Sequence, residues 1–389
     1  MKTRNRTRIP TVAVALGASA ALLVGCSSDN SSTDTQSAAP AGPRLTVSYD
    51  GGVMVLDADT LDVVDTVDDI DGFVRLNPAG DGRHVLVSTG NEFTALDTAE
   101  PALTDVSFPA EKPGHVVRHD GKTVLFDDGT GKVSIFDPIT LSDGQPETHE
   151  HTTAEPHHGV AVELSDGTLV TTLGNEDERQ GIVVLDEHGH ETARSEECPG
   201  VHGEAVAANE AVSFGCENGA LVVKDGAITK IASPDPYGRI GTQVGTEDSP
   251  ILLGDYKTDP EAELERPERV SLIDTATNQM SLVELGASYS FRSLGRGPNG
   301  EALVLGTDGA LHVIDPNTKA VTATIPVVEP WTEPEKWQDP RPTLFVQGGT
   351  AYVTDPATKK INSVDLASGK VKAEAELPET PNELTGVTG

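Results

Sequence analysis

The sequence predicts an all-β fold: a single β-propeller of about eight four-stranded blades, with the ring closed by the C-terminal strand. Three observations carry this reading. A strand-like run closing on an acidic residue recurs eight times, at 53–57, 93–97, 133–137, 182–186, 220–225, 270–274, 311–315 and 361–365. Repeats at roughly 40 to 50 residues are the spacing of propeller blades or solenoid turns. A second strand-like run precedes each copy, at 45–48, 84–88, 123–126, 169–172, 212–214, 251–253, 302–305 and 351–354. Finally, helical periodicity is missing, and 39 glycines with 26 prolines suit a chain of strands and tight turns.

Residues 1–25 read as a signal segment outside the fold. Lys2, Arg4, Arg6 and Arg8 form a basic start, and the apolar run 11–24 is too short to stay in a bilayer. It ends in Leu23-Val24-Gly25-Cys26, small residues before a cysteine, which is similar to a bacterial lipoprotein signal. Cleavage there would leave Cys26 first and lipidated, anchored to the outer face of the cell membrane. A plain secretory signal with an incidental cysteine is the alternative. Residues 26–43 are mostly Ser, Thr, Ala and Pro, a flexible tether that cannot bury enough apolar surface to fold.

Residues 44–389 form the propeller. The first unit starts at its second strand, near Leu45, and lacks an innermost one, while 382–387 is a strand without a blade. Adding the last strand to the first blade closes the ring and covers an exposed edge. Repeats of this kind grow without needing a second core, and a monomer is expected.

Sixty-two acidic against 28 basic residues give a net charge of −34. Nucleic acid is thereby excluded as a partner, since phosphate binding needs a basic footprint. The field repels anions and concentrates cations, although such acidity can equally be a solvation habit. Besides Cys26 the chain has Cys198 and Cys216, an even pair that suggests a disulfide in an exported protein. Metal-binding thiolates are the alternative.

Nine of the eleven histidines lie between His115 and His202. Three of them, His115, His158 and His202, each open a small apolar run about 43 to 44 residues after the previous one. Aligned on the repeat, they occupy the entrance of the innermost strand in three consecutive blades, so they should meet at one mouth of the central channel. Three imidazole nitrogens suit Zn²⁺, with one position left for a carboxylate or water. Glu204, Asp127 and Asp128 are the candidate fourth ligands. His149, His151 and His157 form a possible secondary capture site, His188 and His190 read as solvated loop residues, and His84, His119 and His312 as structural. No nucleophile elbow, His-Glu-x-x-His helix or phosphate-cradling loop occurs. A zinc ion with an open position can activate water, which keeps a propeller hydrolase or lactonase as a rival to a non-catalytic role. A metal-free interaction scaffold is the third reading.

The segments Pro156-His157-His158-Gly159-Val160-Ala161-Val162, Cys198-Pro199-Gly200-Val201-His202-Gly203-Glu204-Ala205 and Phe214-Gly215-Cys216 resemble the AztD family of exported zinc metallochaperones. Members of that family are β-propellers that bind zinc through histidines and pass it to the zinc-binding protein of an ABC importer. The resemblance implies that His115, His158 and His202 are zinc ligands and that Cys198 and Cys216 form a disulfide. Cys26 and the lack of a histidine-rich segment near the amino terminus depart from the family, and the 149–151 loop is a candidate for the missing capture role.

Overall fold

A computed structural model describes residues 42–389. The expected signal segment, Cys26 and nearly all of the tether lie outside the described residues. Among those described, 32 strands form eight antiparallel sheets of four. The propeller has eight blades.

Each blade is a meander in which the two middle strands are buried on both faces, as in His84–Ser88 of blade 2 or Gly219–Lys224 of blade 5. They are sandwiched between neighbouring blades, so they read as unbroken apolar runs. The outer strands alternate, with one face in water: Val63–Ile70 and Lys370–Glu376 carry much of the charge. The acidic residue that ends the third strand has a local task. Asp57 accepts from the amides of Asp59 and Thr60, Asp274 from those of Ala276 and Thr277, and Asp315 from those of Asn317 and Thr318. These side chains fold the turn into the outer strand by mimicking a backbone acceptor.

Closure follows the expected route. Leu384–Val387 pairs antiparallel with Arg44–Tyr49, in the register Leu45↔Gly386 and Val47↔Leu384, and becomes the innermost strand of blade 1. Tyr352 of blade 8 donates its hydroxyl proton to the Ala58 carbonyl of blade 1 at 3.0 Å, a second tie across the seam.

Apolar side chains pack between blades rather than around one centre. The largest cluster joins Val124, Phe126 and Val133 of blade 3 to Val162, Val170 and Ile182 of blade 4, and to Val212, Phe214 and Leu221 of blade 5. Blades 3, 4 and 5, which carry the three aligned histidines, thus share one continuous core. Cys198 and Cys216 lie in it, fully buried and joined as a disulfide. No helix among the described residues is long and apolar enough to cross a membrane.

Candidate metal centre

Each of the three histidines stands where the chain enters an inner strand. His115 lies within Pro113–His119 of blade 3, His158 just before Ala161–Glu163 of blade 4, and His202 opens His202–Ala207 of blade 5. A glycine adjoins each one because the backbone passes too close to its neighbours for a side chain. A Cβ at Gly114 would collide with the Asp128 carboxylate, and one at Gly159 with Phe126 and the His157 ring. Gly203 has φ 66°, and the pairing with Ala211–Cys216 shifts register between His202 and Glu204. This bulge re-aims the strand start so that both His202 and Glu204 line the channel cavity. The Cys198–Cys216 bridge ties the approach to His202 to the end of the strand that pairs with it.

Each of His115, His158 and His202 offers a ring nitrogen, and these atoms all lie within 4.8 Å of one another. The ring centroids are 5.0 to 5.3 Å apart. The hydrogen bonds behind the rings decide what they present. His202 Nδ1 donates to the Gly241 carbonyl at 2.6 Å, and His158 Nδ1 donates to Asp128 Oδ2 at 2.5 Å. With both Nδ1 atoms carrying protons, the neutral rings are left with Nε2 lone pairs, and the two Nε2 atoms face each other at 3.0 Å. Two lone pairs at that distance repel unless a proton or a cation lies between them. Tetrahedral zinc with bonds of 2.0–2.1 Å would hold two nitrogens about 3.3 Å apart, so the spacing fits that ion.

The surroundings of His115 and His202 favour neutral rings. Burial, followed by the adjacent His202 and His158, holds His115 well below the ordinary imidazole range. His202 is pushed down to about 3, by burial first and then by His158. Neutral imidazoles are what a metal requires.

Glu204, Asp127 and Asp128 lie outside the converging group. Asp128 is the hydrogen-bond partner that orients His158. Asp127 caps a turn, accepting from the amides of Glu111, Lys112 and Gly129 and from the Thr130 hydroxyl, so its oxygens are already engaged. Glu204 is on the cavity wall, and burial pushes its carboxyl up to about 8.

The expected secondary group divides. His157 is buried, with Nδ1 on the Glu155 carbonyl and Nε2 on Thr172 Oγ1, both at 2.9 Å, so neither nitrogen is free for a metal. It packs against Phe126 and is a structural residue. His149 and His151 sit on the outer strand of blade 3 and line a cleft of about 250 Å³ against blade 4, which also holds Glu163 and His188. Glu150 is paired with Lys132 at 2.5 Å. His84, His119 and His312 are held by Asp81, Glu210 and Asp308, as structural histidines are.

The histidine motif left the rest of the rim unread. Arg75 opens the inner strand of blade 2, Arg292 lies in that of blade 7, and both line the same cavity of about 510 Å³ as the triad. Aligning every blade at the triad's ring position, rather than only those with histidine, would have found Arg75.

No family model matches the chain. Zinc chaperone AztD of Citrobacter koseri is 27% identical over 305 residues, spanning 76% of this chain and 70% of the relative. A crystal structure of Citrobacter koseri AztD superposes with a TM-score of 0.78 at 25% identity, covering 90% of this chain and 98% of the other. The structure of its apo form gives 0.77 at 26%, covering 90% and 99%. The dihydro-heme d1 dehydrogenase NirN, at 13% identity and a TM-score of 0.61, shares the fold alone.

Proposed function

From a chain that is a relative of the AztD zinc chaperones in sequence and in fold, we propose an extracytoplasmic zinc chaperone or store. It captures Zn²⁺ with His115, His158 and His202 at one mouth of the propeller channel and passes it to the zinc-binding protein of an ABC importer. The observation that carries the reading is the pair of Nε2 atoms facing each other at 3.0 Å, each ring held by a hydrogen bond behind it. Such outer partners fix the tautomer and raise the basicity of a ligand. Zinc is cargo here. An exposed His158 beside half-buried His115 and His202 gives the ion a way in and out without opening the fold.

The buried disulfide supports an exported protein, since such bonds persist in oxidising compartments. Export with a lipid on Cys26 is the form of anchoring that fits the sequence, and mass analysis of the mature amino terminus tests it. The chaperone role needs no catalytic step.

Zinc titration of residues 44–389 against the His115→Ala/His158→Ala/His202→Ala variant tests the site. The wild type should bind one tight zinc that the variant lacks, and unchanged stoichiometry and affinity would sink the assignment. Transfer is tested by mixing the zinc-loaded protein with a metal-free importer binding protein and following where zinc elutes. Zinc-dependent hydrolysis of lactones or esters, lost on chelation, would instead establish the rival hydrolase.

A further inference from the structure

The cavity shared by the three histidines holds an arrangement that a cation site alone does not explain. In a chain with 62 acidic and 28 basic residues, Arg75, Arg239, Lys257 and Arg292 all line this one cavity. Cationic side chains beside a cation's landing place oppose its binding, unless an anion sits between them. Three of the four have a carboxylate of the chain beside them: Arg292 pairs with Glu383 at 2.7 Å, Arg239 with Glu217 at 3.7 Å and Lys257 with Asp255 at 3.9 Å. Arg75 differs from the other three: it is half-buried and has no ion pair among the described residues.

A second observation is independent of these charges. Gln243 is 7% exposed and lines the same cavity. Its Oε1 accepts from Ser213 at 2.6 Å, whereas its Nε2 is buried without a partner. An unpaired buried donor is costly to keep, so its persistence points to an acceptor that occupies the cavity. Phe291 and Trp337 supply an apolar side to the wall, which suits an organic acceptor better than a mineral anion.

We propose that the channel mouth is a carboxylate-binding site, in which a carboxylate from outside the chain takes the fourth position of the histidine-bound metal while Arg75 and Gln243 Nε2 hold it. This rests on the reading of the histidines as a metal site. The carboxylate belongs either to a small free acid or to an acidic side chain of a protein that receives the metal. In the second case the acceptor's own carboxylate would displace the first, so that transfer starts as exchange at the one position the chain leaves open.

The test uses Co²⁺ in place of Zn²⁺, because its visible absorption reports the fourth ligand. Succinate is titrated into Co²⁺-loaded protein at constant ionic strength, in parallel with the blocked tripeptide acetyl-Ala-Glu-Ala-amide and its Gln counterpart. A saturable spectral change with succinate identifies a free acid. A change with the Glu peptide alone identifies a protein side chain, and the Gln peptide should give none. Arg75→Ala should weaken the response about tenfold or more, the loss expected for one charge-assisted hydrogen bond, with Arg75→Lys in between. No saturable change with either carboxylate, an equal change with chloride, or an unaltered response in both Arg75 variants would overturn the proposal. If Co²⁺ fails to bind the wild type, or binds the triple alanine variant equally well, the metal reading itself has failed; Co²⁺ binding without a carboxylate response overturns only this inference.

Discussion

Two places in the propeller gather three histidines each, and they differ in everything except residue type. At the channel mouth, His115, His158 and His202 come from equivalent positions of three blades, over one shared core, with ring nitrogens within 4.8 Å of one another. At the outer rim, His149 and His151 share one face of an edge strand and meet His188 across a cleft of about 250 Å³. The mouth has partners behind its rings, Asp128 and the Gly241 carbonyl. In the cleft, exposed His188 is 3.8 Å from Glu187, and His149 is exposed to solvent. A metal site needs more than a ligand set. It needs rings whose tautomer and direction are fixed before the ion arrives.

The largest effect that can break this contrast comes from removing the three mouth histidines. Replacing all three mouth histidines by alanine should abolish tight zinc binding in equilibrium titration, while the fold persists by circular dichroism. If tight binding survives there and disappears in the His149→Ala/His151→Ala variant, the two regions have been assigned the wrong way round.

Next in size is the brace. The Cys198–Cys216 bridge closes a loop of 18 residues next to His202. The chain-entropy argument gives such a loop about 3 kcal/mol, so the Cys198→Ser/Cys216→Ser variant should lose that much in urea unfolding. Because the bridge lies in the core shared by blades 3 to 5, zinc affinity should fall with it. Affinity unchanged at full loss of stability would show that the mouth is held by the blades alone.

Asp128→Ala sharpens the comparison further. It keeps all three mouth histidines but frees His158 to rotate and change tautomer, making one part of the mouth resemble the cleft. Removing a partner of this kind typically costs 10- to 100-fold in metal affinity. An affinity equal to wild type would mean that Asp128 does not orient the ring.

A smaller effect lies in pH. Unfolded imidazoles take up protons near 6.5, whereas His202 does so only near about 3 and His115 is also strongly depressed. Between those values the unfolded chain binds more protons than the folded one, so the metal-free protein loses stability as pH falls from about 6.5 toward 3. Urea midpoints at pH 7 and pH 5 in the presence of a chelator should differ less in the triple alanine variant than in wild type. With the depressed values, the acid limit of zinc binding at the proposed site should lie below the 6.5 of a free histidine for two of the three histidines.

Much of this was legible in the sequence, because a propeller repeats one instruction. The acidic residue closing each third strand marks a turn, the unbroken apolar runs mark strands buried on both faces, and the unmatched ends mark the seam. Counting in register carried His115, His158 and His202 to one mouth. What could not be read is set by contacts across blades. Asp127 and Asp128 are neighbours in sequence, yet one caps a turn and the other orients His158. His157 and His158 are neighbours too, and one is buried against Phe126 while the other faces the channel. Both pairs sit at or beyond the end of a strand, where no period-two alternation assigns a face, and only contacts with the neighbouring blade decide which side chain is engaged.

The smallest expected effect concerns the outer cleft. His149, His151 and His188 are drawn together there with Glu163, whose carboxyl is raised by burial and eased back by His149. Without fixed rings the cleft should bind zinc weakly and exchange it fast, a place of capture rather than of storage. His149→Ala/His151→Ala should leave the tight zinc untouched in stoichiometry and affinity. It should slow loading of the mouth in stopped-flow at limiting zinc by a factor of about two, because local cation concentration enters the rate rather than the equilibrium. Loading at the wild-type rate would reduce these histidines to solvated side chains on an edge strand, and leave the acidic surface as a whole to bring zinc to the channel.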